Sequence, residues 1–167
     1  MSSQKPGCLA ALFGIGRKQD EEIVGDFFPY KAKPYFFSNA EASFYQFLKQ
    51  MVGDNVLIFP HVVLRDLVDV TELKEYYKYY NQIDRKQVDY VLVESSSLKP
   101  KLVIELDDSS HQREDRKERD IFVEKVFAVT GIPIARVLVK RAYDSKEINE
   151  LFRRAMQANQ SEDPKAK

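Results

Sequence analysis

The sequence predicts an α/β domain, a mixed four-stranded sheet flanked by helices. Three observations lead there. Apolar runs of strand length alternate with stretches of helical spacing, in the order helix, strand, excursion, strand, strand, helix, strand, helix. Two of the strands, residues 88–93 and 101–107, are joined only by the turn Glu94-Ser-Ser-Ser-Leu-Lys-Pro100, so they form an antiparallel hairpin. The second is followed by a long helix and another strand, a right-handed crossover that lays two strands parallel. An antiparallel hairpin and a parallel pair in one sheet make it mixed.

The first helix starts where Ser38 or Asn39 can cap it, carries Phe44, Phe47, Leu48 and Met51 at helical spacing, and ends at Gly53-Asp54. Residues 56–64 are an apolar strand in which Pro60, unable to donate to a ladder, marks an edge or a bulge. Over residues 71–83, Leu73, Tyr76, Tyr77, Tyr80 and Ile83 fit one helical face, although tyrosines also suit strands, so this is a helix or an ordered excursion. The long helix spans about residues 112–130. Its first half is charged and its second half carries Ile121, Phe122, Val126, Phe127 and Val129. Gly131 suits its C′ position and Pro133 follows. Residues 132–139 are the last strand, and Ser145 opens an amphipathic helix with Ile148, Leu151, Phe152 and Ala155.

The chain has 167 residues, enough for one domain. Residues 1–34 read as a flexible head, 35–156 as the domain and 157–167 as a disordered polar tail containing Pro164. Lys plus Arg and Asp plus Glu each total 26, so no global positive field advertises nucleic acid, and such a partner must meet a local basic patch. The single Cys8 excludes an internal disulfide framework and a multi-cysteine zinc site, and two histidines exclude a His-rich metal cage. The weakly polar stretch 7–16 is half the length of a membrane span. It lacks an Ala-x-Ala cleavage site, so a reduced, cytoplasmic protein is expected. The same stretch offers an apolar patch for the domain, a protein partner or a peripheral membrane contact.

Asp89, Glu105 and Asp107 carry the chemistry, because each interrupts an apolar strand where an unpaired charge is costly. Glu105 and Asp107 share a face with Val103, whereas Leu102, Ile104 and Leu106 take the other. A hairpin centred on Ser97 sets Asp89 opposite Glu105, with Cβ atoms about 5 Å apart. Three carboxylates on one face repel unless a cation or protons intervene, and an all-oxygen set suits Mg²⁺ or Mn²⁺. Such an ion activates water and stabilises an anionic transition state on phosphorus. Exposed strand ends are the plain structural alternative for the three acids.

His111, four residues beyond Asp107, either binds metal through water, donates a proton or contacts phosphate, or is a helix-entry residue held by Asp107 or Asp108. His61, inside an apolar strand, reads as structural. Glu41 either favours its helix N-terminus or supplies a further metal or water ligand. Arg113, Arg116, Lys117 and Arg119 alternate with acids, as on a solvated face, or present arginines to phosphates. The Tyr76–Tyr80 group either packs or stacks on unpaired bases.

These residues resemble the PD-(D/E)XK, restriction-endonuclease-like superfamily, and within it a bacterial domain-of-unknown-function family related to very short patch repair endonuclease-like domains. The resemblance covers roughly residues 35–139. It rests on a helix with Glu41, on Gln87-Val-Asp89-Tyr-Val-Leu, on Val103-Ile-Glu105-Leu-Asp107-Asp108-Ser-Ser-His111, and on Arg119-Asp120 and Gly131-Ile-Pro133. It implies an αβββαβ core and a Mg²⁺- or Mn²⁺-dependent nuclease, with DNA ahead of RNA as substrate. By the resemblance, Asp89 matches the first metal-binding aspartate and Glu105 the acid of the next strand. Asp107 stands where the superfamily usually has a lysine, although in the closer relatives an acid followed by His is usual. Asp89, Glu105 and Asp107 are then the expected metal ligands, with His111 assisting, Glu41 and Gln87 supporting, and Arg113 and Arg116 holding phosphate. The missing lysine leaves a second expectation, a catalytically degenerate module that binds nucleic acid or a protein. A different hydrolase is disfavoured, since there is no Gly-rich phosphate loop, no Gly-x-Ser-x-Gly elbow and no Cys–His pair.

Overall fold

The computed structural model describes residues 28–107 and 114–160, the side chains of 114–117 and 159–160 excepted. Residues 28–34 are exposed and irregular, and a compact unit begins at Tyr35. Its elements are α1 (Asn39–Met51), β1 (Val56–Val63), a 3₁₀ turn (Leu64–Asp66), α2 (Tyr76–Ile83), β2 (Gln87–Glu94), β3 (Pro100–Asp107), α3 (Glu114–Thr130), β4 (Ile134–Leu138) and α4 (Ser145–Gln160).

The sheet order is β1-β2-β3-β4. β1–β2 and β2–β3 are antiparallel and β3–β4 is parallel, so this is the mixed sheet flanked by helices that the sequence predicts. The excursion over 71–83 contains a helix that starts only at Tyr76. The part of the expected tail from 157 to 160 is instead the last turn of α4, because nothing there stops a helix and Pro164 comes only later.

Local chemistry explains the element ends. Ser38 closes a capping box on α1: its hydroxyl accepts from the Glu41 N–H at 3.3 Å, and Glu41 Oε2 accepts from the Ser38 N–H at 2.6 Å. Gly131, at φ 72°, takes the left-handed position that ends α3.

Two cores lie on opposite faces of the sheet. On one, Tyr90, Leu92, Leu102, Ile104, Ala135 and Val137 meet Phe44 and Leu48 of α1 and Ile148 and Phe152 of α4. On the other, Val91, Val93 and Val103 meet Val123 and Phe127 of α3, with Leu64 and Ile83. The faces of β3 are therefore those expected from its alternation.

β1 does not keep one phase. Val56 and Ile58 pack on the α1 side, yet Val62, at the same parity, packs on the α3 side. The change occurs at Pro60-His61, where His61 has φ 54°. A non-glycine residue in this region costs on the order of 1 kcal/mol and re-aims the side chains around it.

Phe127 joins α3 to the sheet face that also carries the acids. Phe127→Ala should cost roughly 3–5 kcal/mol, read as a lower midpoint in urea unfolding. A shift below about 1 kcal/mol would mean that α3 is not held through this ring.

Candidate functional site

The register assembles a line of polar residues across the sheet. Glu105 of β3 stands opposite Arg136 of β4. On its other side, the pairs Tyr90↔Ile104, Val91↔Val103 and Leu92↔Leu102 continue to Asp89 beside Glu105. This is the register expected from the sequence; the shift by one residue comes only beyond Leu92, towards the turn. His61 lies between the pairs Pro60↔Tyr90 and Val62↔Val88, across from Asp89. One row thus reads His61, Asp89, Glu105, Arg136.

Helices supply the partners. From α3, Arg119 Nη2 stands 3.6 Å from Glu105 Oε1 and donates to the Gln87 carbonyl at 2.8 Å. Arg136 Nε donates to Glu124 at 2.9 Å, and its Nη1 is 3.7 Å from Asp120. From α1, Glu41 Oε1 is 3.1 Å from His61 Nε2. The His61 ring lies 5.0 Å from Phe36 and, edge-on, 5.5 Å from Phe37, centroid to centroid. Tyr90 anchors the start of α1 by donating from its hydroxyl to the Glu41 carbonyl at 2.7 Å.

Glu105 is 6 % exposed, a buried carboxylate inside an apolar strand. Burial and the charge of Asp89 push its carboxyl up to about 7, against the pull of Arg119 and Arg136. Asp89 is also raised, by burial and then by Glu41, although the Leu106 N–H donates to its Oδ2 at 2.6 Å and Arg119 and His61 favour its charge. Glu41 is held below the usual carboxylate range: burial works against this, but the hydrogen bonds from Ser38 and His61 outweigh it.

The predicted residues are therefore divided. Asp89 and Glu105 come together, with Glu41 close enough to act on Asp89. Asp107 is exposed at the end of β3, its carbonyl accepting from the Val139 N–H at 2.9 Å. Among the described residues, no group of three or more His, Cys, Asp or Glu side chains is placed to hold a metal ion. Gln87 opens β2 with an exposed side chain, and its carbonyl is what meets Arg119. His111 and Arg113 lie outside the described residues; Arg116 lies in α3, with its side chain outside them.

Three residues gain a place that sequence reasoning did not give them. Arg136 interrupts an apolar strand just as the acids do, and that signal identifies it. Arg119 stands in the charged run and in the Arg119-Asp120 motif of the resemblance, but its contact with Glu105 is what the structure adds. His61 reads as structural, and its pairing with Glu41 depends on a backbone turn that no sequence pattern announces.

Asp89 and Glu105 suit a hard divalent ion. Mg²⁺ is commonly held by one or two carboxylates with water completing its shell, and a cation between the two acids would offset the repulsion and burial that raise both carboxyls. Arg119 supplies part of that relief from the chain itself.

Fold and site define an α/β domain with a buried glutamate beside a half-buried aspartate on adjacent strands, faced by arginines. Residues 33–156 match the family described as protein of unknown function (DUF2726), and the chain belongs to that family. No curated protein and no solved structure matches it. No helix among the described residues is long and apolar enough to cross a membrane.

Because Glu105 binds its proton more tightly folded than unfolded, stability should fall as pH rises from about 4.5 to about 7. The penalty, of order 3 kcal/mol, is complete above that window. In metal-free buffer, Glu105→Gln should flatten the pH dependence of Tm and raise Tm at pH 8. A variant that keeps the wild-type pH profile would locate the titration elsewhere.

Proposed function

We propose that this domain is a metal-dependent nuclease of the PD-(D/E)XK type, hydrolysing phosphodiester bonds in nucleic acid, with DNA ahead of RNA. One observation carries the reading: a buried glutamate and a half-buried aspartate side by side on adjacent strands, with Arg119 against the glutamate. The order of elements, helix, three antiparallel strands, helix and parallel strand, supports it. In this reading the protein works in the cytoplasm, and the N-terminal segment meets a protein partner.

Asp89 and Glu105 would hold Mg²⁺ or Mn²⁺. When bound, such an ion supplies a more acidic water and offsets charge on phosphorus. The remaining work falls to the chain. The Leu106 N–H fixes the Asp89 carboxylate. Arg119, oriented by the Gln87 carbonyl, offers its other guanidinium donors to a phosphate oxygen. Asp107 stands where the resemblance leads one to look for a lysine, and Arg119, reaching Glu105 from α3, would supply the positive charge instead. By the resemblance, Asp107 would be a further metal ligand, His111 would assist, and Arg113 and Arg116 would hold phosphate.

A second reading has its own observation. Arg119 already compensates Glu105, as expected of a degenerate site that no longer takes a metal and only binds nucleic acid or a protein.

Labelled single- and double-stranded DNA and RNA, incubated with Mg²⁺, Mn²⁺ or EDTA, separate the two. The nuclease reading expects metal-dependent cleavage that falls by about 100-fold or more in Asp89→Asn and Glu105→Gln, each of which keeps a hydrogen-bonding group of the same shape. It also expects Mg²⁺ or Mn²⁺ to raise the Tm of the wild-type protein and not of Glu105→Gln. Binding without turnover, steeply weakened by salt, would favour the degenerate module.

A further inference from the structure

The strained residue in the row is a histidine, and this points to a second component of the proposed site. His61 interrupts an uncharged strand, Val-Leu-Ile-Phe-Pro-His-Val-Val, at φ 54°. An ordinary strand residue there would keep the β1 phase; His61 instead gives up regular backbone geometry. In return its Nε2 comes within 3.1 Å of a carboxylate twenty residues away in sequence. Strain of this kind persists where surrounding structure over-determines it, and it clusters at functional sites. Here the surroundings are two phenylalanine rings and the Glu41 carboxylate.

Both Glu41 oxygens are engaged, Oε2 by the Ser38 N–H and Oε1 by His61. The first of these bonds belongs to the α1 capping box, so the carboxylate is fixed by the helix it starts. A carboxylate accepting from Nε2 selects the tautomer with hydrogen on Nε2 and leaves Nδ1 as a lone-pair acceptor. The ring retains solvent access, at 22 % exposure, and stands across from Asp89 in the row.

Resting on the nuclease reading, we infer that Glu41 and His61 form a proton-handling dyad for the same site, with His61 as proton acceptor from the attacking water and Glu41 as the positioning residue. In the step, a water O–H breaks as its proton passes to Nδ1. The water oxygen bonds to phosphorus, and the P–O bond to the leaving strand breaks. The leaving oxygen takes a proton from solvent, and the imidazolium, stabilised by Glu41, returns its proton to solvent before the next turnover. This use of His61 is independent of His111.

The positive φ makes the test clean. Glycine adopts this conformation without strain, so His61→Gly removes the ring while suiting the backbone, and it leaves a space of imidazole size. Where cleavage by the wild-type protein is measured with Mg²⁺ or Mn²⁺, His61→Gly should lose about 100-fold in rate, and added imidazole should restore much of the loss. Glu41→Gln should lose about tenfold, since a neutral amide orients the ring but does not stabilise its charge. His61→Asn, which also tolerates this backbone region, serves as the second variant if His61→Gly fails to fold.

A further readout needs no turnover. The chain has two histidines, so ¹⁵N imidazole shifts of the wild-type protein, assigned with His61→Gly, report the tautomer directly. Hydrogen on Nε2 is expected; hydrogen on Nδ1 overturns the dyad. Undiminished cleavage by folded His61→Gly, or a loss that imidazole does not restore, also overturns it and leaves the nuclease reading standing. A wild-type protein that cleaves none of the nucleic acids with either metal removes that reading, and the dyad with it.

Discussion

The architecture turns on one buried negative charge. Glu105 lies in the middle of the sheet with almost no exposure, beside Asp89, which is itself drawn out of water. Taking one carboxylate from water costs several kcal/mol, and placing a second beside it adds repulsion. A sheet built only for stability would carry Val or Ile at both positions. The neighbouring elements are arranged to make the pair tolerable: parallel pairing with β4 brings Arg136 alongside, α3 brings Arg119 across, and the Leu106 N–H holds Asp89. The two hydrophobic cores fix the sheet from both faces and hold these groups where their charges meet.

The same constraint explains why the arginines are themselves tied down. Arg119 spends one donor on the Gln87 carbonyl, and Arg136 is held by Glu124 and Asp120. Charges alternate outward from the acid pair, through Arg119 and Arg136 to Asp120 and Glu124. Such networks give up stability relative to an apolar core in exchange for a defined electrostatic arrangement. The phase change at His61 extends it towards α1, where Glu41 links the row to a helix cap.

Much of this was legible in the sequence, for reasons specific to the elements. The hairpin register was readable because a short turn and two apolar strands leave few alternatives, and the pair Asp89–Glu105 followed from it. The Glu105 face followed from strand alternation. Depth did not: Asp107 shares the face but sits at the strand end, in solvent, and alternation says nothing about how far a strand extends beneath its covering helix. Arg136 was legible by the criterion applied to the acids. Arg119 was marked only by the charged run and the resemblance; its contact with Glu105 was not legible, because it requires the rotation of α3 against the sheet. His61 was the least legible, because its role depends on a left-handed backbone at a residue type that seldom takes it.

In the proposed nuclease, the balance between Arg119 and a metal ion is where structure and function meet. Each would be a cation for the same two acids, Arg119 with one positive charge and a divalent ion with two. They differ in mobility. Arg119 rises from α3 on a long side chain that is still 40 % exposed, and its hydrogen bond to Gln87 does not depend on Glu105. In the proposed nuclease it would therefore keep its orientation while a metal took over the charge of the acid pair, and its freed donors would face an approaching phosphate. An arginine meant solely to neutralise Glu105 would be better buried and bidentate, as planar guanidinium–carboxylate pairs usually are. The single contact at 3.6 Å is loose for that purpose and well suited to a group shared between the acid pair and an incoming phosphate.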